Sequence, residues 1–160
     1  MESQQQLSQD VGQLLFAHKL VLATAESCTG GGVATAITDI AGSSAWFDRA
    51  FVTYSNKAKI EMIEVSPITL EKYGAVSEPI VIEMVHGALK HSRATIGVSI
   101  SGIAGPSGGS DEKPVGTVCF AWADKQGWLK VETQHFIGDR TAVRTQAIAH
   151  ALQALHDHLV

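Results

Sequence analysis

Leu20-Val21-Leu22-Ala23-Thr24-Ala25 runs without a break into Glu26-Ser27-Cys28-Thr29-Gly30-Gly31-Gly32, and the reading of this stretch decides the fold. The first part is apolar, uncharged and rich in β formers, which predicts a buried strand. From Val33 to Ile40 small and apolar residues recur at helical spacing, so a strand passes directly into a helix. Working outward, the same alternation repeats. Leu7, Val11, Leu14 and Leu15 mark an amphipathic helix before the strand. Arg49 to Tyr54 is a second extended run, and Ser55-Asn56 are cap residues for a short helix from Lys57 to about Ile63. Pro67 and Ser77-Glu78-Pro79 open two more helices, the second carrying an apolar stripe of Val81, Met84, Val85 and Ala88, and Ala94 to Ile100 follows as a strand. Val115 to Ala123 and Gly127 to Ile137 pair as an antiparallel hairpin turning near Asp124-Lys125-Gln126-Gly127. Gly138-Asp139-Arg140-Thr141 opens a last helix whose Val143, Ala147, Ile148, Ala151, Leu152 and Leu155 face a core. Strands alternating with helices, plus one hairpin, predict an α/β protein: a three-layer α/β/α sandwich with a mixed sheet, one domain across residues 1–160.

Composition narrows the function. Hydrophobic residues make up 45% of the chain and charged residues 18%, which is enough apolar material for a packed core and too little charge for a disordered chain. Lys and Arg number 12 against 16 Asp and Glu, a net charge of −4 with no basic block, so nucleic acid is a poor partner. Apolar runs of ~5 to 7 residues fall far short of the ~20 that a membrane helix needs. Met1-Glu2-Ser3-Gln4-Gln5-Gln6 has no leader pattern, so a cytoplasmic protein is expected. Cys28 and Cys119 form neither a disulfide framework nor a zinc site, and the seven histidines are scattered, so neither a metal nor a cofactor is expected. Trp46, Phe47 and Phe51 near a loop suggest an apolar patch that would favour a homodimer.

In an open α/β sheet ligands bind at the carboxyl ends of strands. Four polar clusters fall at such ends: Glu26 to Gly32, Tyr54 to Lys59, Ser101 to Ser110, and Gly138 to Arg144, the last behind a hairpin strand of unassigned direction. Ser27 sits in a tight strand-to-helix turn, with the amides of Cys28, Thr29 and Gly30 available to an oxyanion. A serine nucleophile needs a base, and no Gly-x-Ser-x-Gly elbow or placed His–Asp pair accompanies it. Lys59 can serve if burial lowers its pKa towards the neutral amine, and Tyr54 can relay or orient the proton. The alternatives stay open: a helix cap at Ser27, a solvated Lys59, an ordinary strand aromatic at Tyr54. Ser101-Gly102-Ile103-Ala104-Gly105-Pro106 with the glycines and serines that follow matches neither a Walker nor a dinucleotide fingerprint. Its N–H groups and hydroxyls nonetheless suit a phosphate or ribose, with Arg140 or Arg144 adding charge.

The strings Ala25-Glu26-Ser27-Cys28-Thr29-Gly30-Gly31, Gly42-Ser43-Ser44, Val52-Thr53-Tyr54-Ser55-Asn56 through Lys59, Gly74-Ala75-Val76-Ser77-Glu78, Ser101-Gly102-Ile103-Ala104-Gly105-Pro106, Lys113-Pro114-Val115-Gly116-Thr117-Val118 and Gly138-Asp139-Arg140 together resemble the CinA C-terminal domain family in its stand-alone amidase form. Order and spacing hold from about residue 7 to 155. The resemblance implies an amidohydrolase that converts nicotinamide mononucleotide to nicotinic acid mononucleotide and ammonia in pyridine-nucleotide salvage. By position, Ser27 matches the nucleophile, Lys59 its base and Tyr54 a helper. Thr29 and Gly30 fall beside the nucleophile, and Ser44, Ser101, Gly102, Gly105 and Arg140 where the family shapes its nucleotide pocket. Serine stands at 101 where relatives often carry threonine, which keeps the hydroxyl. A rival reading is a non-catalytic nucleotide-binding or sensor module, which needs the phosphate loop but neither Ser27 nor Lys59.

Overall fold

A computed structural model describes residues 3–160; Met1 and Glu2, where the leader reading begins, lie outside the described residues. The elements in chain order are α1 (Gln4–Ala17), β1 (Leu22–Glu26), α2 (Gly32–Thr38), a 3₁₀ turn (Ser43–Ala45), β2 (Phe47–Val52), α3 (Asn56–Ile63), α4 (Pro67–Tyr73), α5 (Glu78–Lys90), β3 (Ile96–Gly102), β4 (Thr117–Asp124), β5 (Leu129–His135) and α6 (Arg140–Leu159). The expected alternation and the hairpin are all present. Among the described residues no helix is long and apolar enough to cross a membrane.

The five strands form one mixed sheet in the order β2-β1-β3-β4-β5. β1 runs parallel to both β2 and β3, while β4 is antiparallel to β3 and to β5. Two successive reversals turn β5 back to the direction of β1. The carboxyl ends of β1, β2, β3 and β5 therefore share one edge, and the loop entering α6 comes out beside the other three.

Alternation along the strands splits the core in two. On one face Leu22, Val98, Phe120 and Trp122 pack under α1, α2 and α6, with Leu15, Ile37 and Leu152 opposite. On the other, Ala23, Ala25, Ala121 and Ala123 lie under α3, α4 and α5, with Ile63, Val81 and Met84 opposite. Small strand residues on this second face let the helices come close. Trp122 is fully buried, stacks on Phe120 at 5.5 Å between ring centres, and donates its indole N–H to the Ala151 carbonyl at 3.2 Å. Truncating such a side chain costs about 3–5 kcal/mol. A glycine decides where α3 sits: a Cβ at Gly87 on α5 would collide with the Ile63 carbonyl oxygen. Any larger residue there would push α3, and the lysine it carries, away from the sheet.

The patch at Trp46, Phe47 and Phe51 is taken up inside the chain. Trp46 and Phe47 are half-buried against the α1–α6 face of the core, and Phe51 against the other. Trp46 covers Gly12 of α1 and meets the edge of Phe16. The apolar patch expected to favour a homodimer is therefore partly covered within the chain.

Candidate active site

The sheet brings Ser27 and Lys59 together. Ser27 follows the last residue of β1, and its amide donates to the Ile100 carbonyl of β3 at 3.0 Å, continuing the ladder. On the other side the Thr53 amide donates to the Glu26 carbonyl at 2.9 Å, so the chain leaving β2 stays beside the turn. Ser55 then caps α3, its Oγ accepting from the Ala58 amide at 3.0 Å. One turn later Lys59 and Ile63 form the buried side of that helix.

Lys59 is 1% exposed and Ser27 8%. Lys59 Nζ donates to Ser27 Oγ at 3.0 Å and to the Thr53 carbonyl at 2.9 Å, and both partners are neutral. With no carboxylate in contact to offset desolvation, burial lowers the Lys59 pKa from 10.5 to about 8, against a small opposing pull from Cys28. At pH 7 about a tenth of the molecules then carry the free amine. Burial also pushes the Cys28 thiol up to about 11, so the neighbouring sulfur is held as a thiol and Ser27 is the group with an activating partner.

Ser27 and Lys59 open on a cavity of about 260 Å³ that is also lined by Tyr54, Ser101, Gly102 and Arg140. Ser101 is buried on β3 and faces this space. A Cβ at Gly102 would stand 2.7 Å from Val118 Cγ2 and 3.0 Å from Cys28 Sγ, so glycine lets the strand end approach the turn after Ser27. A second cavity of about 450 Å³ shares Ala104 and Arg140 with the first. Arg140 spans the boundary, donating to the Gly105 carbonyl and to the Tyr54 hydroxyl, each at 2.9 Å. Hollows of about 440 and 500 Å³ lie elsewhere, beside α5 and beside α6, but neither pairs a nucleophile with a base.

Not every expected residue turns its polar group towards the Ser27–Lys59 pair. Tyr54 lines the cavity, but its hydroxyl accepts from Arg140 at 2.9 Å and contacts neither Ser27 nor Lys59. Thr29 is turned inward, its hydroxyl donating to Glu26 Oε1 at 2.6 Å. The Gly30 amide is closed onto the Ser27 carbonyl at 3.0 Å and cannot receive an oxyanion. Among the described residues the Thr29 amide has no acceptor and the Cys28 amide none beyond its own thiol, so these two stay open to that role. Gly105 acts through its carbonyl on Arg140, at a φ of +84° that favours glycine. Ser44 is exposed in the turn before β2, at the opposite edge of the sheet, and within one chain it does not reach the cavity.

Glu26 was given no role by the sequence and has one. It is fully buried, and besides Thr29 it accepts from the Val33 amide at 2.9 Å and the Ala34 amide at 3.0 Å. An acid just before a glycine-rich helix start is the pattern that could have revealed this, because a carboxylate satisfies the unpaired N–H groups of the first turn. Asn56, Ala75 and Val76, which complete the cavity wall, carried no chemical signal of their own. Among the described residues no cluster of His, Cys, Asp or Glu is suited to hold a metal.

The model of the CinA C-terminal domain family matches residues 4–159. Over 150 residues, 94% of this chain and 91% of the relative, the sequence is 63% identical to nicotinamide-nucleotide amidohydrolase PncC of Escherichia coli. The enzyme of the same name from Enterobacter agglomerans is 59% identical over 148 residues, 92% of this chain and 90% of its own. Among solved structures, the competence/damage inducible protein CihA of Agrobacterium tumefaciens superposes with a TM-score of 0.93 at 43% identity, covering 97% of this chain and 94% of that one.

Proposed function

The chain belongs to the CinA C-terminal domain family, and from that premise we propose that it is a nicotinamide-nucleotide amidohydrolase using Ser27 as nucleophile and Lys59 as general base. One observation carries this reading: a serine hydroxyl 3.0 Å from a buried lysine amine whose other partner is a neutral carbonyl. The names of the relatives support the substrate, a nucleotide carrying a carboxamide.

The nicotinamide ring enters the smaller cavity, and the ribose phosphate extends past Arg140 into the larger one. Ser27 Oγ attacks the carboxamide carbon while its proton passes to the neutral Lys59 amine. The Cys28 and Thr29 amides receive the oxyanion. As the C–N bond breaks, the Lys59 ammonium returns the proton to the leaving nitrogen, and ammonia departs. Water, deprotonated by the same amine, then hydrolyses the acyl-enzyme ester to release nicotinic acid mononucleotide and regenerate Ser27. The dyad needs no metal or organic cofactor for any of these proton transfers. Salvage of pyridine nucleotides is the setting such a reaction serves.

Ammonia release from nicotinamide mononucleotide by the purified protein is the test. Wild type is expected to turn over, while Ser27→Ala and Lys59→Gln lose activity. Full release by either variant removes its residue from the mechanism. Binding of the nucleotide by wild type without ammonia favours the non-catalytic sensor module instead.

A further inference from the structure

Arg144 stands one turn into α6, four residues after Arg140, and the sequence allows either arginine to hold a phosphate. The structure separates them. Arg140 lines both cavities, whereas Arg144 lines neither. Its Nε donates to the Cys28 carbonyl at 3.0 Å and its Nη2 to the Thr29 carbonyl at 3.3 Å. We propose that Arg144 is a positioning residue for Ser27 chemistry, holding the turn after the nucleophile so that its free amides face the reacting carbonyl oxygen; this rests on the amidase reading above.

The backbone of that turn supports the assignment. The Ser27 carbonyl accepts from the Gly30 amide and the Thr29 carbonyl from the Gly32 amide, each at 3.0 Å, and Glu26 fastens the first turn of α2 from below. The Cys28 carbonyl has no backbone donor among the described residues, and Arg144 supplies it. In a trans peptide the C=O and N–H point in opposite directions. A guanidinium fixed on the Cys28 carbonyl therefore aims the Thr29 N–H away from α6. Its positive charge also polarises that peptide and strengthens the N–H as a donor. Gly30 holds a φ of +60° that favours glycine, and its backbone lies directly against the guanidinium: a Cβ there would be in van der Waals contact with Nη2 at 3.4 Å. Arg144 thus acts on the reaction through the backbone, without touching substrate.

The test compares Arg144→Met with wild type on nicotinamide mononucleotide and on the dephosphorylated nucleoside, and adds the rate at which a fluorophosphonate labels Ser27. Loss of an aligned oxyanion donor lowers kcat by roughly 100-fold, so that drop is expected with KM little changed. The same factor is expected for the nucleoside and for labelling, while the midpoint of the pH profile stays where Lys59 sets it. If Arg144→Met does not fold, Arg144→Lys, which keeps the charge but has only one donating nitrogen, is read the same way with a drop of about tenfold. A rise in KM for the nucleotide alone, with kcat and labelling intact, makes Arg144 a phosphate ligand and overturns the proposal. Unchanged kinetics in a variant of lower melting temperature makes it a structural residue and overturns it as well. A wild type that labels at Ser27 but releases no ammonia counts against the amidase reading only, because the labelling ratio still decides the role of Arg144.

Discussion

Replacing Lys59 with methionine separates what the lysine does for catalysis from what it costs the fold. The displacement of its pKa from 10.5 to about 8 corresponds to about 3 kcal/mol, at about 1.4 kcal/mol per pH unit. Below pH 8 the folded and unfolded chains both carry the charge, and the folded state bears the full desolvation penalty. Between pH 8 and 10.5 the folded chain gives up the proton while the unfolded chain keeps it, so stability rises with pH; above 10.5 both are neutral and the penalty is gone. Methionine has similar length and no charge, but it gives up the contacts with Ser27 Oγ and the Thr53 carbonyl. Their loss costs about 2 kcal/mol at all pH values. Lys59→Met is therefore expected to be inactive yet about 1 kcal/mol more stable than wild type at pH 7, and about 2 kcal/mol less stable at pH 10.5. Near neutral pH that is a melting temperature about 2–4 °C higher. Urea unfolding of both proteins at pH 7, 8.5 and 10.5 reads the difference directly, and other titrating groups cancel between them. A difference that stays flat across this range, or that moves in favour of the variant as pH rises, refutes the claim that burial suppresses the charge on Lys59.

Three further outcomes follow from the same geometry. For wild type, kcat/KM is expected to climb about tenfold per pH unit on the acid side and level off above about 8, where the free enzyme holds Lys59 as an amine; a stopped pH series of ammonia release measures it. Arg140→Ala removes the guanidinium shared by the two cavities, and is expected to raise KM for the nucleotide by about 10- to 100-fold while changing the nucleoside far less. Cys28→Ala is expected to keep wild-type ammonia release, since the thiol is held protonated with its pKa pushed up to about 11.

The layers and the sheet edge carrying the site were legible because local pattern specifies them: apolar runs ended by glycine, caps at Ser55 and Asp139, and helical stripes on α5 and α6. Strand limits were less so. β1 begins at Leu22 rather than Leu20, because the Leu20 amide turns back to the Leu15 carbonyl after Lys19 takes a φ of +56°. β2 starts at Phe47, where pairing with Leu22 begins, and ends at Val52, two residues before Tyr54. The meeting of Ser27 and Lys59 was legible too, because a serine in a strand-to-helix turn and a lysine one turn into the neighbouring helix both sit at predicted strand ends. What escaped depended on partners distant in sequence. Thr29 reads as part of the substrate site until its side chain is found turned onto the buried Glu26, and Arg144 reads as a candidate phosphate ligand until its guanidinium is found on the Cys28 and Thr29 carbonyls. Ser44 lies in a motif that reads like a site but precedes β2, which places it at the amino end of the sheet. The direction of β5 followed only from the pairing of β4 with both its neighbours.

Covalent catalysis by Ser27 is tested most directly by acid-quenching the protein with nicotinamide mononucleotide during turnover and weighing it by mass spectrometry. A mass gain equal to the nucleotide less ammonia, carried on the peptide that contains Ser27 and missing from Ser27→Ala, is the predicted result. Steady ammonia release with no such adduct, continuing undiminished in Ser27→Ala, would contradict it.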